Sequence, residues 1–215
     1  MSFSVMLEQL AQGMCKSMLI FGLTLLFSMP LGLLVCFGRM SKNRLVSGIF
    51  GFFISVLRGT PLMLQLMVVY FFPYYLFGIS IGNWRFPAII VGFSINYAAY
   101  FAEIYRSGIE AIPKGQYEAA QILDYSKSQT FFKIVFPQVI KIILPAVTNE
   151  IITLVKDTSL AFSLAYMEMF TIAKQIAARD TTFVPYIVAA LFYYIFNLLV
   201  AFVMRQFEKK LSYYN

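Results

Sequence analysis

At 215 residues the chain has the length of one or two globular domains, yet 60% of it is hydrophobic, 18% aromatic and only 13% charged. A soluble core cannot hide that much apolar surface, so the excess needs lipid. The net charge of +7 with no soluble basic domain speaks against nucleic acid and is read as membrane orientation, while the lack of His and two distant cysteines, Cys15 and Cys36, leave no zinc spacing and no disulfide.

Five spans are expected in chain order: Met18 to Phe37, Pro61 to Phe77, Phe86 to Tyr105, Leu144 to Ala165 and Val184 to Met204. Each approaches the ~20 helical residues that cross a hydrocarbon layer. Met1 to Gly13 has no basic n-region, so the first helix is expected to stay rather than be cleaved as a signal. Gly48 to Leu57, within 46–57, is apolar over half a span and either lengthens the second helix or lies along the inner interface. Thr60 before Pro61 fits a helix N-cap followed by proline at the first helical position. Gly78, Gly82 and Asn83 mark an outer turn, with Trp84 and Phe86 suited to headgroup depth.

The basic residues orient this map. Placing the loops around Arg39 to Arg58, Arg106 to Lys141 and Arg205 to Lys210 inside puts 12 of the 17 basic residues on the cytoplasmic face. Only Lys16, Arg85, Lys174 and Arg179 fall outside, and Lys156 lies within a span. The expectation is an all-α integral membrane helical bundle with an outside N-terminus and an inside C-terminus, residues 41–44, 114–133 and 209–215 facing the cytoplasm.

One connection, 106–138, differs from the rest in carrying charges and a Pro113-Lys114-Gly115 breaker. Gln116 to Leu123 is expected to form a short helix, Asp124 to Ser126 to interrupt it, and Gln129 to Val135 to form a second before Pro137. A connection of this length with no disorder signature is expected to be functional.

Here the chain resembles the permeases of ATP-binding-cassette importers, whose cytoplasmic loop carries Glu-Ala-Ala, three residues, Gly, nine residues, Ile, one residue and Leu-Pro. The matching positions are Glu118-Ala119-Ala120, Asp124 where Gly is usual, Ile134 and Phe136-Pro137. The polar amino acid uptake branch is the most similar, through Arg58-Gly59-Thr60-Pro61-Leu62, Ala102-Glu103-Ile104 with Arg106, Ile112-Pro113-Lys114-Gly115-Gln116 and Lys156-Asp157-Thr158-Ser159-Leu160-Ala161. Asp replaces the glycine at a place where a left-handed backbone is expected, which Asp tolerates better than most residues.

The resemblance implies one permease domain, 1–215, in a prokaryotic cytoplasmic (inner) membrane. It implies a cytoplasmic ATP-binding-cassette ATPase, a second permease subunit of the same or a related chain, and an extracellular or periplasmic solute-binding protein. No cofactor is expected in this chain, which has no phosphate-binding Gly-x-x-x-x-Gly-Lys-Ser/Thr loop; ATP and Mg belong on the partner ATPase. No catalytic residue and no metal site are expected. Gly115, Glu118, Ala119, Ala120 and Asp124 are candidates for coupling to the ATPase. Glu150, Lys156, Asp157, Thr158 and Ser159 are candidates for substrate binding, because charges inside a span are costly unless they face a partner or a wet cavity. Glu150 and Asp157 are two helical turns apart and share a face, Lys156 either tuning them or simply pairing with a carboxylate. An ion-coupled secondary transporter or channel is the alternative; five spans with no visible repeat make it an odd fit. A membrane enzyme would need a nucleophile, base or metal arrangement that a chain without His does not offer.

Overall fold

The computed structural model describes residues 2–211, so positions 212–215 of the expected cytoplasmic tail lie outside the described residues. Helices follow one another as α1 (Phe3–Arg39), α2 (Arg44–Gly59), α3 (Leu62–Phe77), α4 (Arg85–Glu110) and α5 (Lys114–Ile122). A single turn, α6 (Lys127–Gln129), runs through a π-helical stretch (Thr130–Val135) into α7 (Phe136–Asp157) and a 3-10 stretch (Thr158–Leu164). Two helices, α8 (Met169–Asp180) and α9 (Val184–Leu211), complete the described chain, which holds no strand among the described residues.

Four helical segments are long and apolar enough to cross a membrane: Phe3–Arg39, Arg85–Glu110, Lys127–Leu164 and Val184–Leu211. Together α2 and α3 pass the same test but are bent by 113°, for a total of up to five spans. The segment 48–57 therefore does not lengthen α3 in line; it is most of a separate helix across an elbow.

That elbow departs from the expected cap. Thr60 does not cap α3: its hydroxyl donates back to the Val56 carbonyl (2.8 Å), and Pro61 holds the N-cap position. The bend frees carbonyls at the end of α2, and Gln65 takes them up, its Nε2 lying 2.8 Å from the Leu57 carbonyl and 3.1 Å from that of Thr60. Asn96 of α4 donates to the same Leu57 carbonyl (3.2 Å) and to Gln65 Oε1 (2.8 Å), fixing the elbow to the bundle.

The centre of the bundle is α4, whose Phe93, Ala98, Ala99, Phe101 and Ala102 are fully buried. Along α1 the buried positions Leu10, Gly13, Ser17, Ile20, Thr24, Ser28 and Gly32 recur at helical spacing and form the face packed inward. Small residues there let backbones approach. A Cβ at Gly13 would lie 2.7 Å from Met169 Cα, so only glycine lets α1 meet the start of α8. The outward faces keep large apolar side chains exposed, among them Leu26 and Leu34 on α1, Val68 on α3 and Leu199 and Phe202 on α9, which is where the excess hydrophobic composition goes. Gly78 ends α3 in the left-handed region (φ 65°), as its place in the outer turn requires.

Pro137 does not separate a short helix from the fourth span, as the sequence suggested; the helical path runs from Lys127 through it. Proline cannot donate and its ring crowds the preceding turn, and the π-helical turn immediately before it absorbs that misfit. Pro30, Pro73 and Pro145 all sit inside helices.

Candidate functional site

The 106–138 connection is built from local rules. Pro113 disfavours helix in the residue before it and starts α5 after it, so α4 and α5 are separated by Ala111 to Pro113. On α5, Gly115, Glu118 and Ala119 are exposed while Ala120 is fully buried. The helix then closes with the Asp124 N–H on the Gln121 carbonyl (3.1 Å) and the Tyr125 N–H on that of Ala120 (3.0 Å). Both bonds belong to a Schellman cap, and Asp124 takes its left-handed position with φ 54°. The next residues begin the following helix through a capping box: Gln129 N–H meets Ser126 Oγ (3.3 Å) and Gln129 Oε1 accepts from Ser126 N–H (2.9 Å).

The same helical path carries the charges of the fourth span. Asp157, half-buried at the end of α7, accepts a hydrogen bond from the Tyr97 hydroxyl of α4 (2.7 Å). Glu150 is half-buried with no side-chain hydrogen bond among the described residues, and Arg58 and Asp157 act on it electrostatically. Lys156 is exposed and makes no ion pair among the described residues. Thr158 is buried and Ser159 half-buried; their hydroxyls donate to the Val155 and Lys156 carbonyls, both at 2.8 Å, which leaves them as acceptors rather than donors. These two hydroxyls therefore supply no donor to a substrate carboxylate.

Near the C-terminal end of α4, Glu103 and Arg106 form a local pair, with Nη2 to Oε2 at 2.8 Å and Nε to Oε1 at 3.1 Å, and Arg106 also pairs with Glu110. Arg58 comes from the elbow and engages the pair loosely. It stands 3.9 Å from Glu103 Oε2 and 5.3 Å from the Tyr100 ring centroid.

Sequence reasoning missed Tyr97 and Glu168. Glu168 is fully buried, caps α8, and accepts from the N–H groups of Phe170 (2.8 Å) and Thr171 (2.7 Å). The Thr171 hydroxyl (2.8 Å) and the Tyr193 hydroxyl (3.1 Å) complete its shell, and Ser17 of α1 shares its one hydrogen between Oε2 (3.3 Å) and the Gly13 carbonyl (3.4 Å). Three helices thus meet on one carboxyl. The readable signal was a carboxylate three residues before Thr171 at a helix start, which marks an acidic N-cap.

The chain as a whole is similar to known proteins. The family described as "Binding-protein-dependent transport system inner membrane component" matches residues 28–213. The L-cystine transport system permease protein TcyB of Bacillus subtilis is 37% identical over 195 residues, covering 89% of this chain and 82% of the relative. The arginine transport system permease protein ArtQ of the same organism is 35% identical over 216 residues, covering 99% and 98%. A crystal structure described as an amino acid ABC transporter with histidines superposes with a TM-score of 0.86 at 29% identity, covering 98% of this chain and 99% of that one. The chain belongs to the family of inner-membrane components of binding-protein-dependent transport systems.

Proposed function

We propose that the chain forms the translocation path of an ATP-driven amino acid importer and couples that path to a separate ATPase through residues 114–135. Similar proteins named for L-cystine and for arginine transport support the substrate class while differing in the amino acid. The observation that carries the coupling reading is the Schellman turn at Asp124, which keeps the geometry of the Glu-Ala-Ala loop although its glycine is replaced. Glu118 on exposed α5 offers the ATPase a charge-assisted contact, and Ala120 is the buried residue of this helix, which packs on the π-helical stretch.

In this mechanism the loop and the path share one rod. From Lys127 to Asp157 the backbone is helical without a break, roughly 45 Å at 1.5 Å per residue, so a displacement of the loop by the ATPase shifts the carboxylates against Tyr97 and α4. Glu150 and Asp157 face the substrate's ammonium group, with Lys156 tuning them and Thr158 and Ser159 adding acceptors. The partners are the ATPase with its ATP and Mg, a second permease subunit and an external solute-binding protein, all at a prokaryotic inner membrane. The excess of basic residues on the loop side supports a cytoplasmic loop; labelling of a cysteine at position 127 by an impermeant reagent from outside the cell would reverse that orientation.

The test is uptake of labelled L-cystine and L-arginine by proteoliposomes holding the complete complex. ATP-dependent uptake of at least one is expected, and Glu118→Ala should abolish it while the chain still inserts. Normal uptake by that variant would remove the coupling role, and uptake that ignores ATP would favour an ion-coupled transporter.

A further inference from the structure

The inner end of the molecule holds a groove away from the carboxylates, walled in part by the π-helical stretch of the coupling segment. About 500 Å³ in volume, it runs between α1, α4, the π-helical stretch and α7, with Leu33, Phe37, Ile109, Phe131 and Ile143 among its walls, and its lining surface is wholly apolar. Phe37 and Phe132 on its rim are more than half exposed, so the groove opens outward from the bundle. With the membrane placement proposed for the chain, that outward opening faces lipid.

Phe131 also walls a second cavity of about 740 Å³, which carries Lys42, Lys114 and Lys127 beside Tyr117 and Tyr125. The three lysines come from the α1–α2 loop, the start of α5 and α6, and none makes an ion pair among the described residues. The one carboxylate in that lining is Glu118, leaving three cations against one anion.

We propose that the two cavities form a single site for an anionic phospholipid of the inner leaflet, one acyl chain lying in the groove and the phosphate among Lys42, Lys114 and Lys127. Each half alone admits other occupants: a neutral lipid fills the groove but leaves the lysines unanswered, and a soluble protein answers the lysines but cannot fill a hydrocarbon groove. With Phe131 walling both, the pair suits a molecule that is apolar at one end and anionic at the other. The lipid would wedge between α1 and the start of the rod that joins loop to span. This inference rests on the membrane placement of the chain and not on which substrate it carries.

The experiment is native mass spectrometry of the delipidated complex, titrated with phosphatidylglycerol or with phosphatidylcholine of the same acyl chains. The wild type is expected to retain phosphatidylglycerol preferentially, and Lys42→Gln and Lys127→Gln should each lower that preference roughly five-fold, the equivalent of about 1 kcal/mol per basic residue near a lipid headgroup. Leu33→Trp, which fills the groove, should reduce retention of both lipids. Unchanged selectivity in the lysine variants would overturn the site. So would loss of the ATPase from those variants with lipid retention intact, which would assign the lysines to the ATPase contact. Unchanged retention in Leu33→Trp would remove the groove from the account.

Discussion

Acidic positions on the two sides of the end of the fourth span are treated in opposite ways. Glu168 is fully buried and surrounded by donors from its own helix start, from α1 and from α9. Asp157 is half-buried and takes one hydrogen bond, from Tyr97, while Glu150 on the same helix takes none among the described residues. A carboxyl whose acceptor sites are filled by the protein has nothing left for a ligand; its work is to hold helices together. One with vacant acceptor sites in a costly environment is in place to meet a ligand. Burial and charge alone do not distinguish a structural acid from a functional one. The count of donors does.

The largest effect should come from the saturated acid. Glu168→Ala leaves the Phe170 and Thr171 N–H groups and the Tyr193 hydroxyl without their acceptor, at ~1–3 kcal/mol for each buried group left unpaired. The expected outcome is a fall in thermal midpoint of the detergent-solubilised chain and loss of assembled complex, read by size-exclusion chromatography. Normal assembly with defective uptake would instead move Glu168 into the path and break the contrast. A smaller effect should follow Tyr97→Phe, which removes one hydrogen bond worth ~1 kcal/mol and frees an Asp157 lone pair. Assembly should persist, and the half-saturation concentration for uptake should change by about five-fold. An effect on folding as large as that of Glu168→Ala would make the Tyr97 contact structural as well.

Much of the fold was legible because lipid imposes long apolar segments, and the left-handed backbone at Asp124 was legible because the matching position of the Glu-Ala-Ala loop is usually glycine. The α2–α3 elbow was not: its latch joins Gln65 to Asn96, 31 residues away, and no local pattern around either announces it. Thr60 looked like an N-cap from its neighbours alone, yet the carbonyls exposed by the bend recruited Gln65, and its own hydroxyl turned back to Val56. Pro137 looked like a boundary because a π-helical turn has no sequence signature strong enough to foresee. At the candidate site the spacing put Glu150 and Asp157 on one face. Tyr97 reaches Asp157 from α4, and Glu168 collects Ser17 and Tyr193 from α1 and α9; such pairings follow from packing and cannot be read along the chain.

The central claim is that the carboxylates of α7 serve transport and not assembly. Its most direct measurement is the rate of ATP-driven amino acid uptake by Asp157→Asn, normalised to assembled complex and set beside the basal ATP hydrolysis of the same preparation. Asparagine keeps the shape and an acceptor for Tyr97 but removes the negative charge, so uptake should fall by about ten-fold, the loss of ~1.4 kcal/mol, while assembly and basal hydrolysis hold. Unchanged uptake, or a complex that no longer assembles, would contradict it.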